Sequence, residues 1–142
     1  MERNTRQREA VLAAIEHAGR ALAPAEILAL ARTAVASLNL STIYRHVNAL
    51  QNEARIVKVL LPGQAPRFEA ACSGDHLHSP GRARGKAPHH HHHFHCGACD
   101  RVYALHACPG SMQELAPAGF VVTAHEVTLR GLCGACSEVA PS

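Results

Sequence analysis

The 142-residue sequence predicts an α+β protein with a helical N-terminal part and a smaller C-terminal α/β part. Two observations carry this prediction. Three segments with helical spacing of apolar residues, followed by two short β-like runs, occupy the first half of the chain. Two Cys-x-x-Cys pairs, Cys96/Cys99 and Cys133/Cys136, lie in the second half. Aromatic residues make up only 4% of the chain, so each part has a thin core that a metal cross-link would support.

The first two helices are predicted from apolar spacing and from the residues at their ends. The first covers residues 5–18 and stops at Gly19, a residue type that commonly follows a helix C-terminus. The second covers residues 24–32, with Pro24 in the first turn, where a missing N–H is tolerated. Its inward-facing residues are predicted to be Ile27, Leu28 and Leu30.

The third helix is predicted to begin after Leu40, with Ser41 as its N-cap. One face is an apolar stripe formed by Ile43, Val47 and Leu50. The opposite face is predicted to display Thr42, Arg45, His46 and Asn48. Such a helix has one side for packing and one side for a polar partner.

A β-hairpin is predicted next, from β-like runs at residues 56–61 and 67–70 that flank a turn rich in Pro and Gly. Three helices followed by a hairpin predict a winged helix-turn-helix domain over residues 1–70, whose third helix enters the major groove of DNA. The same order of helices also describes inert bundles. Residues 1–70 hold nine Lys and Arg against six Asp and Glu, which favours a polyanionic partner.

The sequence changes character at residue 71. Residues 71–88 are rich in Gly, Pro and Ser and lack periodicity, which predicts a flexible linker or insertion. Residues 89–142 predict a small α/β domain, with the two cysteine pairs at its opposite ends. Its predicted elements are strands over residues 101–105 and 120–129 and a short helix over residues 111–115.

The two cysteine pairs, with 33 residues between them, predict one structural zinc site. Four thiolates around one centre are what a closed tetrahedral zinc site requires. A redox role is the alternative, but redox pairs usually occur singly on a thioredoxin-like fold. The chain has no apolar run of the roughly 18 residues of a membrane span, and its first residues lack the apolar region of a secretory signal. We therefore expect a cytoplasmic protein without a membrane partner, in which reduced thiols favour metal.

A run of five histidines at residues 89–93 leads into the first cysteine pair. Imidazoles are ligands suited to zinc, iron, nickel or copper. An extended conformation would send His90 and His92 to one face and His91 and His93 to the other, so one segment would serve two metal centres. Candidate partners from elsewhere in the chain are His106, Cys108 and His125. A solvated low-complexity tract and an engineered tag are the alternatives.

These features belong to an ordered set of residues that spans nearly the whole chain. The set comprises Thr5, Gln7, Arg8, Pro24-Ala25-Glu26, Ser41-Thr42-Ile43-Tyr44-Arg45, Leu50, Phe68-Glu69, the histidine run, Cys96-Gly-Ala-Cys99, Gly119-Phe120, His125 and Gly131-Leu132-Cys133-Gly-Ala-Cys136. In this combination the chain resembles the ferric uptake regulator family, which includes iron, zinc, manganese and nickel sensors and peroxide sensors. The ordered set is far more specific than any single motif within it.

The resemblance implies a role for each group of residues. It implies DNA contacts for Arg8, Ser41, Thr42, Tyr44 and Arg45. It implies a sensing metal site at the hinge between the domains, formed by Glu69, His91 and His93, to which we add Cys72 as a soft ligand from the linker. It implies a second metal site in a dimerisation domain, formed by His90, His92 and His125. Where an acidic ligand is expected the chain offers His106, Cys108 or Ser111, of which we add Cys108 to the site. The four paired cysteines match the structural zinc of the family.

Residues and resemblance together predict a homodimer that represses metal-homeostasis genes by binding double-stranded operator DNA when it is loaded with metal. Besides the structural Zn²⁺, a second divalent metal, Zn²⁺ or Fe²⁺, is expected as the regulatory ligand. Ligands rich in sulfur and nitrogen favour zinc over iron, as for a zinc-uptake regulator. We expect no enzymatic activity, because no trio of nucleophile, base and orienting group is evident. The alternatives are a peroxide-sensing member of the family and, from a different class, a zinc metallochaperone or enzyme.

Overall fold

The computed structural model describes residues 2–71, 92–107 and 110–139. The chain divides into two compact units, Met1–His89 and His90–Ser142. The predicted linker lies outside the described residues, apart from Ala71. In the parts of the chain that are described, no helix is long and apolar enough to cross a membrane.

The N-terminal unit contains three helices and a two-stranded antiparallel sheet. The helices are α1 (Glu2–Ala18), α2 (Pro24–Ala31) and α3 (Leu40–Asn52), and the strands are β1 (Ile56–Val59) and β2 (Arg67–Ala70). The strands pair from Ile56 opposite Ala70 to Val59 opposite Arg67. The predicted three helices and hairpin are therefore confirmed, as is the stop after α1, since Gly19 adopts a φ of +63°.

Apolar side chains from all five elements form one core. Its largest fully buried members include Ile15, Leu22, Ile27, Leu38, Ile43, Leu50 and Ile56. Residues 43, 47 and 50 are buried as predicted. Leu30 was predicted to face the core but is 42% exposed. The side of α2 that packs against the core carries Ile27 and Ala31 instead.

The first turn of α3 is fixed by Asn39 rather than by the predicted Ser41. The Asn39 side-chain oxygen accepts hydrogen bonds from the Thr42 backbone N–H at 2.9 Å and from the Thr42 hydroxyl at 3.0 Å. Both Asn and Ser are good N-cap residues, and here the N-cap lies two residues earlier than predicted, so that the helix begins at Leu40. Ser41 is therefore an exposed residue of the first turn.

A polar cluster ties the start of α2 to the hairpin. The Glu26 carboxylate accepts hydrogen bonds from the Ala23 backbone N–H and from the Arg20 guanidinium, both at 2.8 Å. The nearly buried Arg67 guanidinium of β2 lies 3.8 Å from the same carboxylate. Leu22, just before α2, exchanges two backbone hydrogen bonds of 2.8 Å with Phe68 of β2. The hairpin is thereby anchored to the helices.

The C-terminal unit is built on a three-stranded mixed sheet in the order β4-β3-β5. The strands are β3 (His92–Cys96), β4 (Val102–Leu105) and β5 (Thr128–Gly131), a 3₁₀ turn covers Gln113–Leu115, and α4 spans Gly134–Val139. Strand β3 pairs antiparallel with β4 and parallel with β5. The strand predicted near residues 101–105 is confirmed, and the short helix predicted at 111–115 is this 3₁₀ turn.

The long strand predicted over residues 120–129 is wrong for most of its length, since only its last two residues belong to β5. Around residues 120–122 the backbone bonds to a side chain instead of a neighbouring strand. Gln113 donates through Nε2 to the Phe120 carbonyl at 2.7 Å and accepts through Oε1 from the Val122 N–H at 2.9 Å. The α+β class, with a winged-helix unit and a smaller sheet unit containing four clustered cysteines, is confirmed.

Candidate metal centre and nucleic-acid interface

The four paired cysteines converge on one point in the C-terminal unit. The Sγ atoms of Cys96, Cys99, Cys133 and Cys136 all lie within 4.8 Å of one another, and those of Cys99 and Cys133 are 3.9 Å apart. In a tetrahedral zinc site with Zn–S bonds of about 2.3 Å, the sulfur atoms are about 3.8 Å apart. The cluster therefore has the donor set of a closed zinc site, and its sulfur atoms lie close enough together to share one metal ion.

The sheet brings the two cysteine pairs together although they are far apart in sequence. Strand β3 ends at Cys96, and its parallel neighbour β5 ends at Gly131, directly opposite. The Gly97 N–H donates to the Gly131 carbonyl at 2.8 Å, which extends the pairing into the first knuckle. The turn closes when the Asp100 N–H donates to the Cys96 carbonyl at 3.0 Å. Asp100 adopts a φ of +61°, as expected for the residue after a tight turn.

Backbone donors around the cluster favour ionised sulfur. The Cys133 N–H donates to the buried Cys96 Sγ at 3.3 Å. Hydrogen bonds from the backbone of Cys99 and Cys133 lower the pKa of the Cys96 thiol to about 6. The hydrogen bond with Cys133 and burial raise the pKa of Cys136 to about 12, because neighbouring sulfurs compete for one negative charge. Thiolates are the form that binds zinc, and a bound cation would remove this competition.

Two histidines of the predicted second metal site also lie together. The His92 ring of β3 stacks on the His125 ring, with centroids 5.1 Å apart and planes 28° from parallel. His92 is 2% exposed, and its Nδ1 accepts a hydrogen bond from the Val127 N–H at 3.0 Å. Nε2 is therefore the His92 atom that remains suited to a metal. The other predicted members, His90 and Cys108, lie outside the described residues.

The predicted hinge site is only half described. Glu69 is buried in β2 of the N-terminal unit, and His93 is half-buried in β3 of the C-terminal unit. Cys72 and His91 lie outside the described residues. The hinge site stays a prediction.

The exposed side of α3 carries the predicted DNA-contacting residues. Ser41 and Arg45 are exposed, Tyr44 is 49% exposed, and Thr42 is half-buried beside the Asn39 cap. They extend from a helix whose other side is fixed in the core. His46 was predicted to lie on this exposed face, and that prediction is wrong. It lies on the buried side of α3 and is 3% exposed. The helical period in fact places position 46 on the stripe of residues 43, 47 and 50.

Arg8 is half-buried on α1, and its guanidinium donates a hydrogen bond to the carboxylate of Glu53 at the end of α3. Sequence reasoning missed Glu53, because a pair separated by 45 positions leaves no local pattern. It also missed the contact of His95 Nε2 with Asp100 Oδ1 at 2.5 Å beside the first cysteine pair. The helix cap at Asn39 had a sequence signal, since Asn is among the preferred N-cap residues.

Several solved structures share the fold. The Helicobacter pylori ferric uptake regulator is 23% identical, with a TM-score of 0.59 over 92% of this chain and 79% of that chain. A zinc-bound manganese uptake regulator is 17% identical, with a TM-score of 0.67 over 89% and 87%. A zinc uptake regulator complexed with zinc and DNA is 24% identical, with a TM-score of 0.56 over 94% and 82%. At these identities, the likeness concerns the fold.

No curated protein matches the chain by sequence. Residues 2–86, however, match the model of the ferric uptake regulator family. This segment contains the complete winged-helix unit and exceeds half of the 142 residues. The protein is therefore a member of the ferric uptake regulator family.

Proposed function

We propose that this protein is a metal-responsive, homodimeric transcriptional repressor that acts in the cytoplasm on metal-homeostasis genes, with zinc favoured over iron as the regulatory metal. The observation that carries the proposal is that one chain combines a winged-helix unit with a four-sulfur cluster suited to zinc. Family membership supports regulation rather than enzymatic chemistry.

The proposed DNA contacts follow from the exposed side of α3. Its first turn is held by the Asn39 cap, so Ser41 and Tyr44 have fixed starting positions. Arg45 is the exposed cation of this helix and can form a bidentate contact with a guanine edge or bind a phosphate. The excess of three basic residues over residues 1–70, nine against six, would add attraction to the DNA backbone.

Two kinds of metal site are proposed. The four cysteines would hold a structural Zn²⁺, which supplies a cross-link between the ends of β3 and β5. The regulatory Zn²⁺ or Fe²⁺ is assigned to Glu69, Cys72, His91 and His93, and a further site to His90, His92, Cys108 and His125. The stacked rings of His92 and His125 support the further site. Zinc is favoured over iron because most of the assigned ligand atoms are nitrogen and sulfur.

A homodimer is supported by the surface of the C-terminal unit. Phe120 is 64% exposed and Val121 is 81% exposed, and both precede β5. Leu129 on β5 itself is 50% exposed. Among the described strands, β5 pairs only with β3, so its other edge is available to a second copy. Apolar side chains next to such an edge are typical of an interface.

The test is operator binding by the full-length protein. A promoter fragment of its own gene is titrated with metal-depleted protein and with protein supplied with Zn²⁺ or Fe²⁺. We expect tighter binding with metal, and a stronger effect of Zn²⁺. A tenfold gain corresponds to about 1.4 kcal/mol of coupling, within the range of known allosteric effects.

Arg45→Ala should weaken binding by roughly 1–3 kcal/mol if Arg45 contacts a base, without changing metal content. Arg55→Ala, which removes an exposed guanidinium beyond the end of α3, is the matched control for charge. Equal losses in both variants would mean that Arg45 acts through its charge rather than through a base contact, and no loss in Arg45→Ala would mean that α3 does not enter the groove. If metal-loaded protein binds the promoter fragment no more tightly than it binds DNA of random sequence, the metallochaperone alternative is favoured.

A further inference from the structure

His46 is a buried imidazole that the proposed function does not use. It lies on α3 beside the core residues Ile43, Val47 and Leu50, and its side is closed to solvent. Its Nε2 is buried and has no hydrogen-bond partner in the described parts of the chain. Buried polar atoms are nearly always paired, and leaving one unpaired costs free energy. An uncharged imidazole costs less free energy to bury than an imidazolium.

The charges around His46 oppose its protonation. Burial, followed by the positive charges of Arg45 and Arg8, lowers the pKa of His46 below its ordinary 6.5. Arg45 is its neighbour on α3, and Arg8 approaches from α1, where it is bonded to Glu53. Helix α2 and strand β1 also pack against α3, and no charged side chain of theirs in the described segments acts on His46. Both cations that act on it would repel an imidazolium.

We propose that the N-terminal unit requires the neutral form of His46, so that mild acid loosens α3 from the core through this one side chain. A proton on His46 would place an unpaired charge in the core beside two arginines. The unfolded chain accepts that proton near pH 6.5, whereas the folded unit resists it. As far as His46 is concerned, the free energy of unfolding therefore has its full value above this pH and decreases as the pH falls below it.

The inference goes beyond the proposed function, because it involves no metal ligand. Tyr44 and Arg45 extend from the same helix. Acid would thus disturb the proposed DNA-contacting side without removing metal from the C-terminal unit. The inference concerns the stability of α3 and can be tested without DNA, so its failure is distinct from a failure of the proposed function.

The experiment measures amide hydrogen exchange of α3 in the full-length, zinc-loaded protein at pH 7.5 and 5.5, corrected for the intrinsic pH dependence of exchange. One imidazole with a lowered folded pKa can increase the opening of α3 by at most about tenfold across this window. We expect an increase within that limit in the wild type. His46→Leu, which does not titrate, should show none. His17→Gln, which removes an exposed histidine at the end of α1, should behave as the wild type.

A second measurement keeps the proposal testable if His46→Leu fails to fold. The imidazole nitrogens of the wild-type protein are titrated by NMR, and His46 is expected to remain neutral at pH 6.5. An imidazole that is half protonated at or above pH 6.5 in the folded protein would overturn the proposal. So would an equal acid-induced increase in α3 exchange in the wild type and His46→Leu.

Discussion

The Arg8 guanidinium on α1 is bonded to the Glu53 carboxylate at the C-terminal end of α3. The contact raises the pKa of Arg8 and lowers the pKa of Glu53. Arg8 is one of the residues for which the family resemblance implies a DNA contact, at the backbone or in the minor groove, and in this arrangement its charge is already engaged. A phosphate can bind Arg8 only by replacing Glu53 or by sharing the guanidinium with it.

Glu53→Gln should therefore tighten operator binding, because it releases Arg8 for the phosphate. Exposed ion pairs are weak, so the expected gain is on the order of two- to fivefold. Removing any acidic residue reduces repulsion of DNA, and Glu16→Gln is the matched control, since Glu16 also pairs with an arginine, Arg55. The measurement is operator affinity at constant salt and metal.

A double-mutant cycle isolates the contact. In an Arg8→Ala background, Glu53→Gln should have no more effect than Glu16→Gln. If Glu53→Gln tightens binding equally with and without Arg8, the gain comes from net charge and the pair has no part in DNA binding.

Ala54→Gly should stabilise the N-terminal unit. Ala54 follows α3 with a φ of +57°, a left-handed conformation, and the next residue, Arg55, donates its N–H to the Leu50 carbonyl at 2.9 Å. Glycine is the usual residue at this position of a helix end. Relief of about 1–2 kcal/mol of strain outweighs the extra flexibility of glycine when unfolded, for a net gain of about 1 kcal/mol.

Gly19→Ala provides the reverse change. Gly19 has a φ of +63°, and a Cβ there would meet nothing within 4 Å, so the substitution tests conformation alone. It should destabilise the unit by about 1 kcal/mol. Both free energies of unfolding are measured by denaturant titration followed by helical circular dichroism. A neutral Ala54→Gly beside a destabilising Gly19→Ala would mean that residue 54 is not left-handed.

Glu26 should make the N-terminal unit sensitive to strong acid. Burial acts to raise the pKa of Glu26, but the hydrogen bonds from Ala23 and Arg20 and the charge of Arg67 together hold it below its ordinary 4.5. A carboxylate of this kind stabilises the fold above the unfolded pKa, and that contribution is lost as pH falls through the lower, folded value. Glu26→Gln should flatten the loss of stability between about pH 5 and pH 3.

At pH 7, Glu26→Gln should cost about 1 kcal/mol, since solvent screening reduces the usual 1.5–3 kcal/mol of a charged hydrogen bond. The Gln side chain keeps an oxygen that can accept the hydrogen bond from the Ala23 N–H, so the loss of stability measures the effect of the negative charge. Glu16→Gln, whose partner lies at 3.7 Å in an exposed pair, should cost much less. Equal effects of the two variants would show that the cluster at α2 is no stronger than a surface pair.

Cys96→Ser should abolish the structural zinc and unfold the C-terminal unit, because one centre joins segments far apart in sequence. Loss of the dimer should follow. Zinc content is measured by elemental mass spectrometry and association by analytical ultracentrifugation. Cys72→Ser, which leaves all four cysteines of the cluster in place, should keep the structural zinc and the dimer even if it binds less of the regulatory metal. A Cys96→Ser protein that remains a zinc-loaded dimer would show that this assignment is wrong.

Sequence reasoning succeeded where the signal is local or regularly spaced. The three helices, the hairpin and the cysteine cluster depend on such spacing. It failed over residues 120–127, because alternation indicates a strand only if another strand is available, and there side chains take part of the backbone hydrogen bonding: Gln113 bonds to Phe120 and Val122, and His92 accepts from Val127. The partnership of Arg8 and Glu53 depends on tertiary packing, whereas the burial of His46 follows from the helical period of α3, which sets position 46 beside 43, 47 and 50. The hinge ligands and the sensed metal depend on residues whose positions the fold alone does not specify.

The four cysteines also bear on how the protein is made. Among the described residues of the C-terminal unit, the buried apolar side chains are Cys96, Val102 and Cys133, so the sulfur cluster takes the place of a hydrophobic core. A newly synthesised chain without metal has few other interactions that would fold this unit. We therefore expect the unit to be degraded by proteases until it binds metal. Metal supply would then set how much folded protein accumulates, before any question of how that protein responds to metal.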